Sequence, residues 1–369
     1  MTFGNNSTKH LFLADHYRPF FVAPCPIIGS INRMKFCVAL VLLTTLTLTT
    51  FAGDWAQWRG PNRDGVSSEK GLIDEWPEDG PKLLWKATGV GVGFSSVSIV
   101  GERIYTMGDG KDASHVYCLS TETGKIIWTS KRVGKTGGNY KGTRCTPTVD
   151  EGHVYALGQY GDLVCLKADT GKEIWRKSLT GDFGGRSGGW NYTESPLIDE
   201  GKVIVTPGGK KGAVVALNKK TGEPIWQSKD FTDGAQYSSL IAREFGGERQ
   251  YIQLTGANVV GLAADTGKVL WKAARKGKTA TVSTPIFHEG HVFVSSAYGV
   301  GCNGFKVSYK DKIYSTSQTY ANKSIANHHG GCIRVGDYVY ASSGGQLACM
   351  DLKTGKEMWK ERSAGKGSI

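Results

Sequence analysis

The sequence predicts an all-β propeller of four-stranded blades, and three observations predict it. A ten-residue signature recurs five times at near-constant spacing. A second apolar pattern, opened by Ser or Thr in most copies, precedes it in each repeat. Glycine is abundant (51 of 369 residues) and aromatic residues make up 10%, which suits short strands joined by tight turns.

The clearest copy of the signature runs from Leu166 through Asp169-Thr170-Gly171-Lys172 to Trp175. The others are Leu119–Trp128, Leu217–Trp226, Leu262–Trp271 and Met350–Trp359. Their turn glycines, 124, 171, 222, 267 and 355, are separated by 47, 51, 45 and 88 residues. The last gap is a double one, so a repeat near 300–315 has lost its signature, with Gly304–Val307 and Ile313-Tyr314 as its degenerate strands. An apolar strand leads into each turn. Asp and Thr there bond the backbone, and Gly accepts the positive φ of a tight hairpin. The closing Trp, once per blade, buries a large apolar area at a fixed place. Trp128, Trp175, Trp226, Trp271 and Trp359 are therefore read as structural, docking blade on blade.

The second pattern marks the innermost strands: Ser96-Val-Ser-Ile, Thr146-Pro-Thr-Val, Ser195-Pro-Leu-Ile, Ser239-Leu-Ile-Ala, Thr284-Pro-Ile-Phe and Gly331-Cys-Ile-Arg. A turn and a further strand follow most of them, as in Gly152-His-Val-Tyr and Gly290-His-Val-Phe. Four short strands per blade result.

These residues resemble the PQQ-repeat (pyrroloquinoline quinone-like) propellers, whose docking motif runs Ala-x-Asp-x-x-Thr-Gly-x-x-x-Trp. Trp55-Ala-Gln-Trp58-Arg59-Gly60-Pro61 is similar to an opening motif of an exported branch of that family. The resemblance spans 82–369. It implies relatives of two kinds: quinoprotein alcohol dehydrogenases, including polyvinyl-alcohol dehydrogenase-like proteins, and the non-catalytic propeller lipoprotein of outer-membrane barrel assembly. Fold alone does not choose between them. Six repeats are expected, at 86–128, 129–175, 176–226, 227–271, 272–315 and 316–359. Lys82-Leu-Leu-Trp85 resembles a last strand without its own blade, and Lys366–Ile369 the start of another inner strand. A propeller truncated at the C-terminus, with a split and incomplete seventh blade, is the expectation; the full protein would hold seven or eight.

Upstream, Arg33 and Lys35 flank an apolar run over Phe36–Leu48 that ends at Thr50-Phe51-Ala52. A basic flank, a short apolar core and a small-x-small end make a signal peptide over 34–52, preceded by an overlong, disordered start over 1–33. Roughly 13 apolar residues fall short of the ~20 a membrane span needs, so no span is expected after cleavage. Residues 53–81 are read as an N-terminal extension. A periplasmic or secreted protein follows. The net charge of +12 sits largely in repeated turns such as Gly124-Lys125, a solvated pattern, so nucleic acid is not an expected partner. Cys118, Cys165 and Cys349 share one repeat slot with Ala216 and Gly261, which marks a small buried position and an inert thiol.

Propeller ligands gather where the inner strands begin. Arg144, Tyr192, Glu194, Tyr237, His328 and His329, with Lys366, precede such strands and are expected to ring the channel mouth. Trp190, just before an inner strand, could stack a flat ring or plug two blades. Glu194, where other repeats carry Ser or Cys, could bind a cation, act as a base, or pair with Arg144; pairing is the favoured reading. His328 and His329, as strand neighbours, should point to opposite faces, and no metal site is expected. The resemblance implies, for an enzyme, PQQ with Ca²⁺ held by Trp190, Arg144 and Glu194, with Glu194 a weak catalytic candidate. The adjacent cysteines of quinoprotein dehydrogenases are missing from the sequence. The leading expectation is a non-catalytic scaffold for a protein partner, or for a small-molecule or polymer ligand at the channel. The alternative is a PQQ-dependent alcohol dehydrogenase of the polyvinyl-alcohol type.

Overall fold

The computed structural model describes residues 53–138, 140–362, 365 and 367–369. The signal peptide over 34–52, the start over 1–33 and Lys366 lie outside the described residues. Among those described, six four-stranded antiparallel meanders form six blades. Blade 1 holds β1 (Ser98–Val100), β2 (Arg103–Asp109), β3 (Ala113–Ser120) and β4 (Ile126–Thr129), with the short β5 (Gly134–Lys135) added to β3. Blade 2 holds β6 (Thr148–Asp150), β7 (His153–Leu157), β8 (Asp162–Lys167) and β9 (Glu173–Ser178). Blade 3 holds β10 (Leu197–Asp199), β11 (Lys202–Val205), β12 (Val215–Asn218) and β13 (Pro224–Gln227). Blade 4 holds β14 (Ile241–Phe245), β15 (Glu248–Leu254), β16 (Asn258–Ala263) and β17 (Val269–Ala274). Blade 5 holds β18 (Ile286–His288), β19 (His291–Ser296), β20 (Gly301–Lys310) and β21 (Ile313–Asn322). Blade 6 holds β22 (Ile333–Val335), β23 (Tyr338–Ser343), β24 (Gln346–Asp351) and β25 (Glu357–Arg362).

The signature builds one device repeatedly. In three blades the signature Trp leaves the fourth strand and lies on the turn glycine of the next blade. Trp128 covers Gly171, Trp175 covers Gly222 and Trp226 covers Gly267; a Cβ on any of these glycines would meet the indole at 2.4–2.8 Å. Each indole N–H also donates to the carbonyl three residues before that glycine: Ala168 (3.1 Å), Lys219 (3.0 Å) and Ala264 (3.0 Å). Trp85 docks identically on Gly124, donating to the Thr121 carbonyl at 3.0 Å, although residues 82–85 form no strand. The residue paired with each aromatic must be small. Cys118, Cys165, Ala216, Gly261 and Cys349 all occupy that slot, beside a register shift common to every blade. All six described thiols are buried and free, and burial pushes those of Cys145, Cys165 and Cys332 up to about 12.

Blade 5 departs from the expected boundary at 315. Its outer hairpin has ten-residue strands joined by Asp311-Lys312, both at positive φ (51° and 62°). Tyr320 takes the docking position: it pairs with Gly304, covers Gly355 and donates its hydroxyl to the Leu352 carbonyl at 2.9 Å. Blade 5 thus offers no turn glycine to Trp271, which bonds Gln250 of its own blade at 2.7 Å and stacks on Phe287. Trp359 bonds nothing through its indole among the described residues and is 39% exposed.

A second latch joins the innermost strands. The Ser96 amide donates to Thr146 Oγ1 (3.2 Å), the Thr146 amide to Ser195 Oγ (3.0 Å) and the Ser195 amide to Ser239 Oγ (3.0 Å). This explains why Ser or Thr opens these strands. The apolar core lies between blades rather than within them, in four clusters shared by neighbouring sheets.

Residues 54–65, read from sequence as part of an extension, cross the ring of inner strands and touch every blade. Trp55 bridges Ile99 of blade 1, and the Ala56 carbonyl accepts from Val149 of blade 2 at 2.8 Å. Arg63 donates to the Ser195 carbonyl entering blade 3 at 2.6 Å, and Arg243 of blade 4 donates to the Asn62 carbonyl at 3.2 Å. The Trp58 indole donates to Thr284 Oγ1, entering blade 5, at 3.3 Å. Arg59 donates to the carbonyls of Gly330 (2.6 Å) and Cys332 (2.5 Å), entering blade 6. Positive φ at Arg59, Gly60, Arg63 and Gly65 coils the segment tightly enough to do this. Gly60 is required for space as well, since a Cβ there would meet the Trp55 ring at 2.6 Å.

Candidate functional site

This hub divides the channel. On the side where the inner strands begin lies a cavity of about 510 Å³. Its walls are Phe94, Tyr140 and Trp190 on one side, Tyr298, His328 and His329 on another, with Tyr237 and Trp58 between them. Tyr140 and Trp190 pack at 4.9 Å between ring centroids, and the Tyr237 hydroxyl accepts from the Trp190 amide at 3.2 Å. Arg144 contributes the cationic group. It donates to the carbonyls of Gly142 (3.1 Å) and Tyr140 (2.8 Å), and its guanidinium lies 5.4 Å from the Phe94 centroid. Burial holds Arg144 below its ordinary value and Tyr237 above its own.

Arg144, Trp190, Tyr237, His328 and His329 therefore meet in one cavity. Tyr192 and Glu194 do not. From Tyr192 to Ser195 side chains alternate: Thr193 and Ser195 line the cavity while Tyr192 and Glu194 turn inward. Tyr192 is buried between blades 2 and 3, and its hydroxyl donates to the Pro207 carbonyl at 2.8 Å. Glu194 is buried too. It accepts from the Thr206 amide (2.7 Å), the Thr206 hydroxyl (3.0 Å) and Gln253 Nε2 (3.3 Å). It makes no ion pair with Arg144, contrary to the favoured sequence reading; the nearby cation is Arg63 of the hub. His328 and His329 also differ from expectation. They lie outside any strand, and their rings stack at 4.2 Å, with Tyr298 edge-on to His328 at 4.9 Å.

Burial raises the Glu194 carboxyl to about 7, against the lowering effects of Thr206 and Arg63. Between about pH 4.5 and 7 the folded protein keeps a proton that the unfolded chain has lost. Stability conferred by this group therefore falls as pH rises through that window, and the penalty is complete above it. Glu194→Gln is expected to flatten the stability profile there, by up to about 3 kcal/mol at pH 8. Urea unfolding at pH 4.5 and pH 8 checks this.

The quinone set does not assemble. Trp190 and Arg144 could stack and clamp a planar anion, but both Glu194 oxygens are engaged away from the cavity. Calcium takes six to eight oxygen ligands, typically with carboxylates among them, and no Asp or Glu is among the described lining residues.

The sequence profile of the PQQ_2 family, outer membrane protein assembly factor BamB, matches residues 69–156 and 112–361. The chain belongs to that family. A curated relative, outer membrane protein assembly factor BamB of Burkholderia pseudomallei (strain K96243), is 26% identical over 177 residues, 47% of this chain and 42% of that protein. The match thus spans about two fifths of the relative's length. Crystalline BamB from Moraxella catarrhalis aligns with a TM-score of 0.51 at 16% identity, covering 72% of each chain, a likeness of fold alone. Quinohemoprotein alcohol dehydrogenase ADHIIG from Pseudomonas putida HK5 aligns at 0.45 and 13% identity, over 86% of this chain and 74% of that one. Sequence reasoning took Trp55–Pro61 as an opening motif, with Trp55 and Trp58 as a possible polysaccharide-binding surface; in the structure Trp55 bridges Ile99 and Trp58 donates to Thr284 within the hub. It passed over Arg59 and Arg63 as the residues that seat the hub; two arginines flanking Gly-Pro beside two tryptophans were the available signal.

Proposed function

We propose that this propeller is an exported, periplasmic binding scaffold without chemistry of its own, and that its aromatic mouth receives a segment of a partner protein. The observation that carries the reading is the composition of the mouth: aromatic walls and one guanidinium, with the nearby carboxylate of Glu194 turned away and saturated. Aromatic residues and Arg dominate protein-binding hot spots because they bury large area at low entropic cost. Similarity to an outer membrane protein assembly factor supports a protein partner over an alcohol substrate. A photo-cross-linking residue at Tyr140, in the full chain expressed in its host, tests it, with the same residue at Lys125 as control. The expected result is a discrete cross-linked protein at Tyr140 alone, with Trp190→Ala weakening capture at least roughly tenfold. Equal labelling from both positions would overturn the reading.

A further inference from the structure

We propose that the cavity at the other end of the channel binds a small multivalent oxyanion, built on phosphate or carboxylate groups. This site is separate from the aromatic mouth and does not depend on its reading. The cavity encloses about 550 Å³ beneath the hub, where the inner strands end. Five arginines line it: Arg59 and Arg63 from the hub, Arg243 and Arg249 from blade 4, and Arg334 from blade 6.

The acidic residues of the cavity are mostly taken. Arg249 pairs with Asp199 at 2.5 Å and Glu244 at 3.2 Å, and Glu289 faces Lys353 at 3.6 Å and His288 at 3.8 Å. Arg59, Arg63, Arg243 and Arg334 make no ion pair among the described residues, and Asp64 is the carboxylate left among them. Arg334 spends one nitrogen on the Gly336 carbonyl, and Arg243 two on Ala242 and Asn62. The hub adds a second observation. Arg63 is 3% exposed, and its Nε and Nη1 have no hydrogen-bond partner; the same holds for Nε of the buried Arg59. Buried guanidinium charge is costly, and an anion in the adjoining cavity would offset that cost through charge, not by bonding these shielded nitrogens.

Burial lowers Arg243; Asp64 raises it, and the charges of Arg249 and Arg334 lower it. Arg63 is lowered to about 10 by burial, with Glu194 opposing and Arg243 adding to the shift. A planar guanidinium engages phosphate or carboxylate through two parallel N–H bonds, so several arginines around one cavity suit a ligand with several anionic groups. The volume admits something larger than orthophosphate.

Calorimetric titration of the full chain with pyrophosphate and with citrate, at constant ionic strength, tests this. Saturable binding with a Kd near or below about 100 μM is expected. The Arg243→Gln/Arg334→Gln pair should weaken it at least roughly tenfold, while Lys125→Gln leaves it unchanged. Preference for pyrophosphate or for citrate identifies the anionic group. No saturable binding of either anion by the folded wild-type chain, or equal binding by the double variant, overturns the proposal. Because wild-type binding alone can refute it, the test does not depend on the variants folding.

Discussion

Replacing Arg59 with alanine is expected to lower the unfolding free energy by about 3 kcal/mol. The guanidinium ties the hub to blade 6 through the Gly330 and Cys332 carbonyls and to its own loop through Asp64 at 3.0 Å. Its loss leaves buried carbonyls without donors, at about 1–3 kcal/mol each. Part of this is returned, because Arg59 itself is buried, lowered by desolvation and short of one partner at Nε. Arg59→Met keeps the apolar stem and removes only the donors, so it should lose nearly as much if hydrogen bonding dominates. Urea unfolding followed by tryptophan fluorescence measures both. A change under about 1 kcal/mol in Arg59→Ala would mean the hub does not hold the blades.

Trp175→Ala is expected to cost about 3–5 kcal/mol, and Trp359→Ala less than about 1 kcal/mol. The two residues occupy the same position of the same signature. Trp175 is 8% exposed, covers Gly222 and donates to the Lys219 carbonyl, whereas Trp359 is 39% exposed and makes no such bond. Truncating the first leaves a cavity between blades 2 and 3 and an unpaired carbonyl; truncating the second removes half-exposed surface. Equal effects would show that the signature acts within a blade and not between blades.

The blades were legible because their chemistry is local and repeated. Thr-Gly forms a turn in all five copies, and the Trp four residues after the Gly lands on the next blade's turn in three of them. Blade 5 escaped because Tyr320 does the same work with a hydroxyl in place of an indole N–H, after a hairpin lengthened at Asp311-Lys312. At the mouth, position relative to the inner strand identified Arg144, Trp190, Tyr237 and the two histidines. It could not assign faces. Asn191 at positive φ resets the alternation, which sends Tyr192 and Glu194 into the core and Thr193 to the cavity. The hub was illegible for a further reason. Its partners lie up to 273 residues away in sequence, and nothing local in Trp58-Arg59-Gly60 announces contact with Cys332.

The measurement that tests the functional account most directly is titration of the folded chain with PQQ and Ca²⁺, reading quinone binding and alcohol-dependent dye reduction together. The account predicts no dye reduction at any quinone concentration, because the Glu194 carboxylate is engaged by Thr206 and Gln253 outside the mouth. Saturable quinone binding with alcohol-dependent reduction, abolished in Glu194→Gln, would contradict it and make the mouth an active site.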